Sequence, residues 1–126
     1  METREDVLKE LIRLRERTPG IAGSLACTVD GFIVACEPEW DTAEQMAALS
    51  SALLSLSRRM LTLSSKGALE ETVVSGSAGL AAFYAAGPTI VLAVVAEPGA
   101  NLGLLRLEGR KTAANLAAIA SHTGGK

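Results

Sequence analysis

The chain has 126 residues, enough for one domain with a proper core. Hydrophobic residues make up 48% and aromatic residues only 3%, so Ala, Leu and Val must fill that core. A net charge of −2 leaves no basic excess to hold nucleic acid, and the charged start, Met1-Glu2-Thr3-Arg4-Glu5-Asp6, is not a signal peptide, so a cytoplasmic location is expected.

Residues 3–17 read as a first helix. Val7, Leu8, Leu11, Ile12 and Leu14 form its apolar face, and balanced charges cover the other. Thr18-Pro19-Gly20 stops it. Residues 24–37 read as a β-hairpin around Asp30-Gly31, a dipeptide that tolerates the positive φ of a two-residue turn. That register puts Leu25, Cys27, Val29, Phe32, Val34 and Cys36 on one face. Ala26, Thr28, Ile33 and Ala35 fall on the other, so the sheet is expected to be covered on both sides. Cys27 and Cys36 then sit diagonally, at the roughly 7–8 Å that is long for a disulfide, and read as reduced core thiols. Glu37, Glu39, Asp41 and Glu44 follow with no base among them, around Pro38 and Trp40. This loop is either a docking site for a basic partner or a solvated lead-in whose acids favour a helix N-terminus. Trp40 either anchors a partner or pins the loop to the core.

Residues 41–67 are the stretch that organises the rest. Asp41 and Glu44 have the spacing of a capping box, and Lys66-Gly67 is a suitable stop. Between them Met46, Leu49, Leu53, Leu56, Met60 and Leu63 recur at alternating spacings of three and four, a seam of large apolar side chains. A smaller stripe runs beside it: Ala43, Ala47, Ser50, Leu54, Ser57 and Leu61. No residue from 45 to 57 is charged, so the helix has more than one face to hide. The large seam is expected on a sheet beneath, and the small stripe, with Leu54 and Leu61, against a second copy of the chain. The arc left over holds Glu44, Ala48, Ser51, Ser55, Arg58, Arg59 and Thr62, a weakly charged platform.

Three strand candidates follow. Residues 69–75, half polar with Glu70 and Glu71, read as an edge strand. Residues 80–86 and 89–96 are turned by Gly87-Pro88, and the second is uniformly apolar and expected to be central. Residues 72–96 carry no charge, yet Gly76, Gly79, Gly87 and Pro88 break them into strands rather than a membrane span. Asn101 can cap a last helix running to about residue 121, with Leu102, Leu105, Gly109, Ala113, Leu116 and Ala120 inward and Gly109 permitting close approach to the sheet. Residues 121–126 are expected to fray. The result is a single α/β (α+β) domain over residues 1–126. Its five-stranded antiparallel sheet has the middle helix on one face and the two terminal helices on the other.

Chemistry is nearly absent. There is no Gly-x-x-x-x-Gly-Lys-Ser/Thr phosphate loop, and Gly20-Ile21-Ala22-Gly23 and Gly76-Ser77-Ala78-Gly79 are turn glycines. The single histidine, His122, sits in the tail, so no nucleophile–His pair or metal set is expected, and no cofactor.

Four stretches carry a resemblance. They are Pro19-Gly20-Ile21-Ala22-Gly23, the hairpin from Cys27 through Asp30-Gly31 to Val34, the helix around Met46-Ala47-Ala48-Leu49-Ser50, and the run Ala96-Glu97-Pro98-Gly99-Ala100-Asn101-Leu102-Gly103-Leu104-Leu105-Arg106. With these the chain resembles the roadblock / dynein light chain family, and most of all its bacterial branch found beside small Ras-like GTPases. The resemblance implies the fold just argued, a homodimer whose middle helices pack together and whose short third strands, with Glu70 and Thr72, extend the sheet, and a small GTPase as partner. It brings no catalytic motif. The expected interface is Ala47, Ser50, Leu54, Ser57, Leu61, Glu70 and Thr72. The expected partner surface is Glu44, Ser51, Ser55, Arg58 and Arg59, with Trp40 as the alternative. A purely structural dimerisation module bridging other proteins, for instance a sensor kinase, is the competing reading.

Overall fold

The computed structural model describes residues 2–124. Its elements are α1 (Glu2–Arg17), β1 (Ile21–Thr28), β2 (Ile33–Glu37), α2 (Ala43–Leu63), β3 (Thr72–Gly76), β4 (Gly79–Ala86), β5 (Ile90–Ala96) and α3 (Leu102–Gly124). The strands form one antiparallel sheet in the order β2-β1-β5-β4-β3. As the apolar run of residues 89–96 requires, β5 lies at its centre. Helix α2 covers one face, over Leu25, Cys27, Phe83, Val91 and Ala93. Helices α1 and α3 cover the other, where Leu11, Leu14, Leu105 and Leu116 close over Ala26, Ala82, Tyr84, Leu92 and Val94. No helix among the described residues is long and apolar enough to cross a membrane.

Close approach fixes α3. A Cβ on Gly109 would stand 2.8 Å from the Tyr84 ring, so only glycine lets the helix lie on β4 at this depth. Asn101 caps α3 as expected, its Oδ1 accepting from the Leu104 N–H at 3.0 Å. The helix runs on to Gly124, past the expected end near residue 121, and the last two positions of the expected frayed tail lie outside the described residues. On α1, Ile12 points outward, while Glu10 is buried instead. The Glu10 carboxylate is held by Arg13 at 2.7 Å and by the Asn115 amide at 2.9 Å, which ties α1 to α3.

The hairpin departs from a two-residue turn. Only Gly31 has a positive φ, at 91°, and the Thr28 N–H donates to the Phe32 carbonyl at 2.8 Å. Ala26 pairs with Ala35 in the expected register, but Cys27 then pairs with Ile33 across a bulge. The bulge exchanges two side chains: Ile33 joins the α2 face and Val34 the α1/α3 face. Leu25 pairs with Cys36, so the two thiols are diagonal neighbours, and both are free.

The largest correction concerns α2. The small stripe, not the large seam, meets the sheet: Ala43, Ala47, Ser50 and Leu54 are its buried residues. Phe83 and Leu25 already fill the space beneath, so alanine and serine let the backbone come close. The Cys27 thiol donates to the Ala47 carbonyl at 3.6 Å across this contact. Ser50 satisfies its hydroxyl on the Met46 carbonyl at 2.6 Å. The capping box of Asp41 and Glu44 is not formed either; Thr42 is the N-cap and makes no side-chain cap bond. The helix stops at Leu63, before Gly67, where Ser65 takes a positive φ of 58°. β3 likewise begins at Thr72 rather than residue 69, because Glu71 is drawn to Arg106 at 2.7 Å and Glu70 to Arg110 at 3.4 Å.

Two outcomes test this packing. Gly109→Ala gains helix propensity of about 1 kcal/mol, yet its methyl group meets the buried Tyr84 ring. Denaturant unfolding is expected to show a net loss of about 1–3 kcal/mol, and a net gain would mean that α3 does not sit this close. Burial pushes the Cys27 thiol up to about 11, so it stays protonated and inert at neutral pH. Titration with a thiol reagent is expected to be slow at Cys27 in the native protein and fast after denaturation without reductant.

Candidate protein-interaction surface

With the small stripe used up inside the chain, the large seam of α2 lies outside. Leu49, Leu56, Met60 and Leu63 are 66%, 55%, 65% and 79% exposed, and Leu53 and Met46 are half-buried at its edge. On the 100° helical wheel these residues adjoin Ser57, whose hydroxyl accepts from Thr72 of β3 at 2.8 Å. The seam therefore runs along the β3 side of α2. Val74, exposed on β3, stands on the same face as Thr72 and extends the patch to the sheet edge. β3 pairs only with β4, so its outer backbone edge has no partner among the described residues. An exposed apolar strip beside an unpaired edge strand is what a protein–protein interface requires.

The expected interface residues divide. Ala47, Ser50 and Leu54 are fully buried in the chain's own core and present nothing to a second copy. Ser57 and Thr72 bind each other, Leu61 is half-buried, and Glu70 is exposed and paired with Arg110. Leu49, Leu53, Leu56, Met60, Leu63 and Val74 were not expected at this surface. The two apolar stripes were already visible in the chain, but which of them turns outward depends on the folded sheet beneath, where the bulk of Phe83 leaves room only for the smaller.

The expected partner surface is brought together on the other side of α2. Glu44, Ala48, Ser55, Arg59 and Thr62 are exposed and Arg58 is half-buried. The β1–β2 turn closes against this arc: the Ser51 hydroxyl donates to the Val29 carbonyl, and a Cβ on Gly31 would lie 3.2 Å from Ala48 Cα. The turn adds Phe32, 70% exposed, to the rim. Trp40 lies apart from this arc, half-buried against the α2 face of the sheet, so it pins the loop to the core. Nor is the acidic loop free of bases, since Arg15 donates to Glu37 at 3.1 Å.

Among the described residues no group of three or more His, Cys, Asp or Glu is arranged to hold a metal. Arg106, Arg110 and Glu71 gather over the buried Tyr84 hydroxyl, which burial and the neighbouring Glu71 charge push up to about 12. A phenol held that far up stays protonated and serves as packing, not as a base.

Comparison with known proteins agrees with this architecture. Residues 7–96 match the model of the Roadblock/LC7 domain family. The uncharacterized protein MJ1340 of Methanocaldococcus jannaschii is 32% identical over 104 residues, which cover 82% of this chain and 90% of that one. The gliding protein MglB of Thermus thermophilus superimposes with a TM-score of 0.87 at 21% identity, over 97% of this chain and 93% of that one. A Roadblock/LC7 domain from Streptomyces avermitilis gives a TM-score of 0.80 at 25% identity, covering 92% and 96%. A chain with this strand order, this division of helices and a family match over most of its length belongs to the Roadblock/LC7 domain family.

Proposed function

We propose that the chain is a non-catalytic homodimeric regulator or scaffold of a small Ras-like GTPase. The observation that carries the self-association is the exposed Leu49–Leu56–Met60–Leu63 seam beside the open β3 edge. In the proposed dimer two α2 helices pack seam to seam and two β3 strands pair, which buries the apolar surface and satisfies the edge backbone together. The interface residues are then Leu49, Leu53, Leu56, Met60, Leu63 and Val74, with Leu61, Ser57, Glu70 and Thr72 at the margin. Each copy then presents its outer arc, on the side of α2 away from the seam, as a surface for the GTPase. Arg58 and Arg59 are its bases, and arginine is favoured at interface hot spots. Relatives of this fold include the gliding protein MglB of Thermus thermophilus, and the GTPase partnership follows from the resemblance in the sequence. No feature of the described residues singles out a sensor kinase as client.

Two substitutions separate self-association from folding. Leu56→Glu places a charge in the proposed interface but in solvent within one chain, so light scattering is expected to find a folded monomer where the wild type is a dimer. Leu54→Glu puts the charge into the chain's own core and is expected to unfold it. A wild-type monomer at micromolar concentration would sink the dimer. Arg58→Glu with Arg59→Glu is expected to weaken binding of the cognate GTPase, loaded with a non-hydrolysable GTP analogue, by about tenfold or more. Dimerisation and melting temperature should barely move. Calorimetric titration reads the affinity, and an unchanged value would remove the arc as the GTPase site.

A further inference from the structure

The edge of the sheet stops short beside β4. β3 pairs with β4 from Thr72 opposite Phe83 to Gly76 opposite Gly79. Tyr84, Ala85 and Ala86 pair only with Leu92, Val91 and Ile90 of β5, so no strand meets their outer edge. An open cleft of about 200 Å³ lies there. Tyr84, Ala85 and Gly87 line one side and Ala113, Ala114 and Ala117 of α3 the other, with Glu70 and Arg110 beside them. Removing one leucine side chain from a core leaves a void of comparable size, roughly 150 Å³. A Cβ on Gly87 would stand 3.1 Å from Ala117 Cβ, so α3 cannot settle further towards the strand end to close the cleft.

The residues just before β3 are placed to fill this gap. Carrying the same antiparallel register back sets Glu71 opposite Tyr84, Glu70 opposite Ala85 and Leu69 opposite Ala86. Side chains alternate along a strand. Thr72 faces α2, where it binds Ser57, so in phase Glu70 also faces α2 while Leu69 and Glu71 face α3. Glu71 is on that side already, bound to Arg106 of α3. Leu69 and Glu70 are reversed: Leu69 packs in the cluster under α2, and Glu70 meets Arg110 of α3 at 3.4 Å. Neither hold is strong. Leu69 is only half-buried, and the Glu70 and Arg110 side chains are 78% and 53% exposed, in the class of ion pair that contributes little. In phase, Leu69 falls on the face of Ala86, beside Tyr84 and Gly87, which is where the cleft lies.

We propose that residues 69–71 are a strap with two settings. In the single chain the strap lies off the sheet, with Leu69 under α2. When a second copy pairs with β3, the strap zips onto the β4 edge, β3 grows to residues 69–76, and Leu69 moves into the cleft beside α3. The device rests on the self-association proposed above, which supplies the second strand. A partner strand can pair with residues 69–71 only when they are extended, so it binds the zipped setting better. Differential binding of that kind is what shifts a two-state segment. Docking at the edge is thereby linked to α3 on the far face of the sheet.

Ala114 separates the strap from the interface itself. It is exposed, lines the cleft, and belongs to α3, on the face of the sheet opposite the α2 seam. Ala114→Phe fills the cleft from the α3 side and is expected to weaken dimerisation at least about tenfold in analytical ultracentrifugation, with an unchanged circular dichroism spectrum. In the wild-type dimer the Leu69 methyl groups are expected to show nuclear Overhauser contacts to the Ala113 and Ala117 methyl groups. The Leu56→Glu monomer should show none. A dimer as tight in Ala114→Phe as in the wild type, or the same Leu69 contacts in monomer and dimer, would overturn the strap and leave the dimer standing. A wild type that light scattering finds monomeric would overturn the dimer and the strap with it.

Discussion

The contact on which the rest of the structure depends is the meeting of the small stripe of α2 with the sheet. Ala43, Ala47, Ser50 and Leu54 pack on Leu25, Cys27, Phe83, Val91 and Ala93. Interiors are close-packed, so a face built with Phe83 and Leu25 rising from it accepts a helix only where that helix is thin. Rotating the helix about its axis would bury leucines and methionines instead, at the cost of lifting the backbone from the strands. The small stripe gives up apolar area on the helix side but gains close contact along its length, including the thiol-to-carbonyl contact of Cys27 and Ala47. The consequence is that the bulkiest apolar residues of the chain's longest helical uncharged stretch are left in solvent. Monomeric proteins rarely carry such a strip.

The opposite face of the sheet is fixed by different means and serves the same edge. Gly109 lets α3 rest on Tyr84, and from that position Arg106 and Arg110 reach Glu71 and Glu70, just ahead of β3. The segment between α2 and β3 would otherwise be an unconstrained connection with few buried side chains. Glu71 is largely buried and bound at 2.7 Å, so its ion pair is less screened than a surface one. Together with the Thr72–Ser57 hydrogen bond it sets where the edge strand begins. The open edge and the exposed seam are thus presented by two helices from opposite faces of one sheet.

Strand and helix existence was legible in the chain because each element obeys its own period. The uniformly apolar run of residues 89–96 required the central position, Asn101 announced its helix, and Gly109 announced the close approach to Tyr84. Element ends were less legible. The Asp41–Glu44 capping box did not form, and Glu71 left the strand pattern for Arg106, which is distant in sequence. The bulge that exchanges Ile33 and Val34 has no local signature, since both side chains are apolar and β-branched and either fits either face. The grouping of residues from Glu44 to Thr62 on one arc was legible because helical geometry alone assembles it. The position of Phe32 beside that arc was not, because only the folded turn brings it there.

What the sequence by itself determined is the set of elements, their order, the antiparallel sheet with helices on both faces, and the presence of two apolar stripes on α2. These follow from periodicity, turn chemistry and caps, all of which act within a few residues. Which stripe faces inward was decided only by the tertiary structure. On an isolated helix both stripes are apolar, and hydrophobicity alone favours burying the larger. The choice rests instead on the shape of the surface beneath, contributed by Leu25, Cys27, Phe83, Val91 and Ala93 from three strands distant in sequence. Complementarity of volume between surfaces assembled from separate segments is not a property of either segment, so no reading of the helix could have contained it.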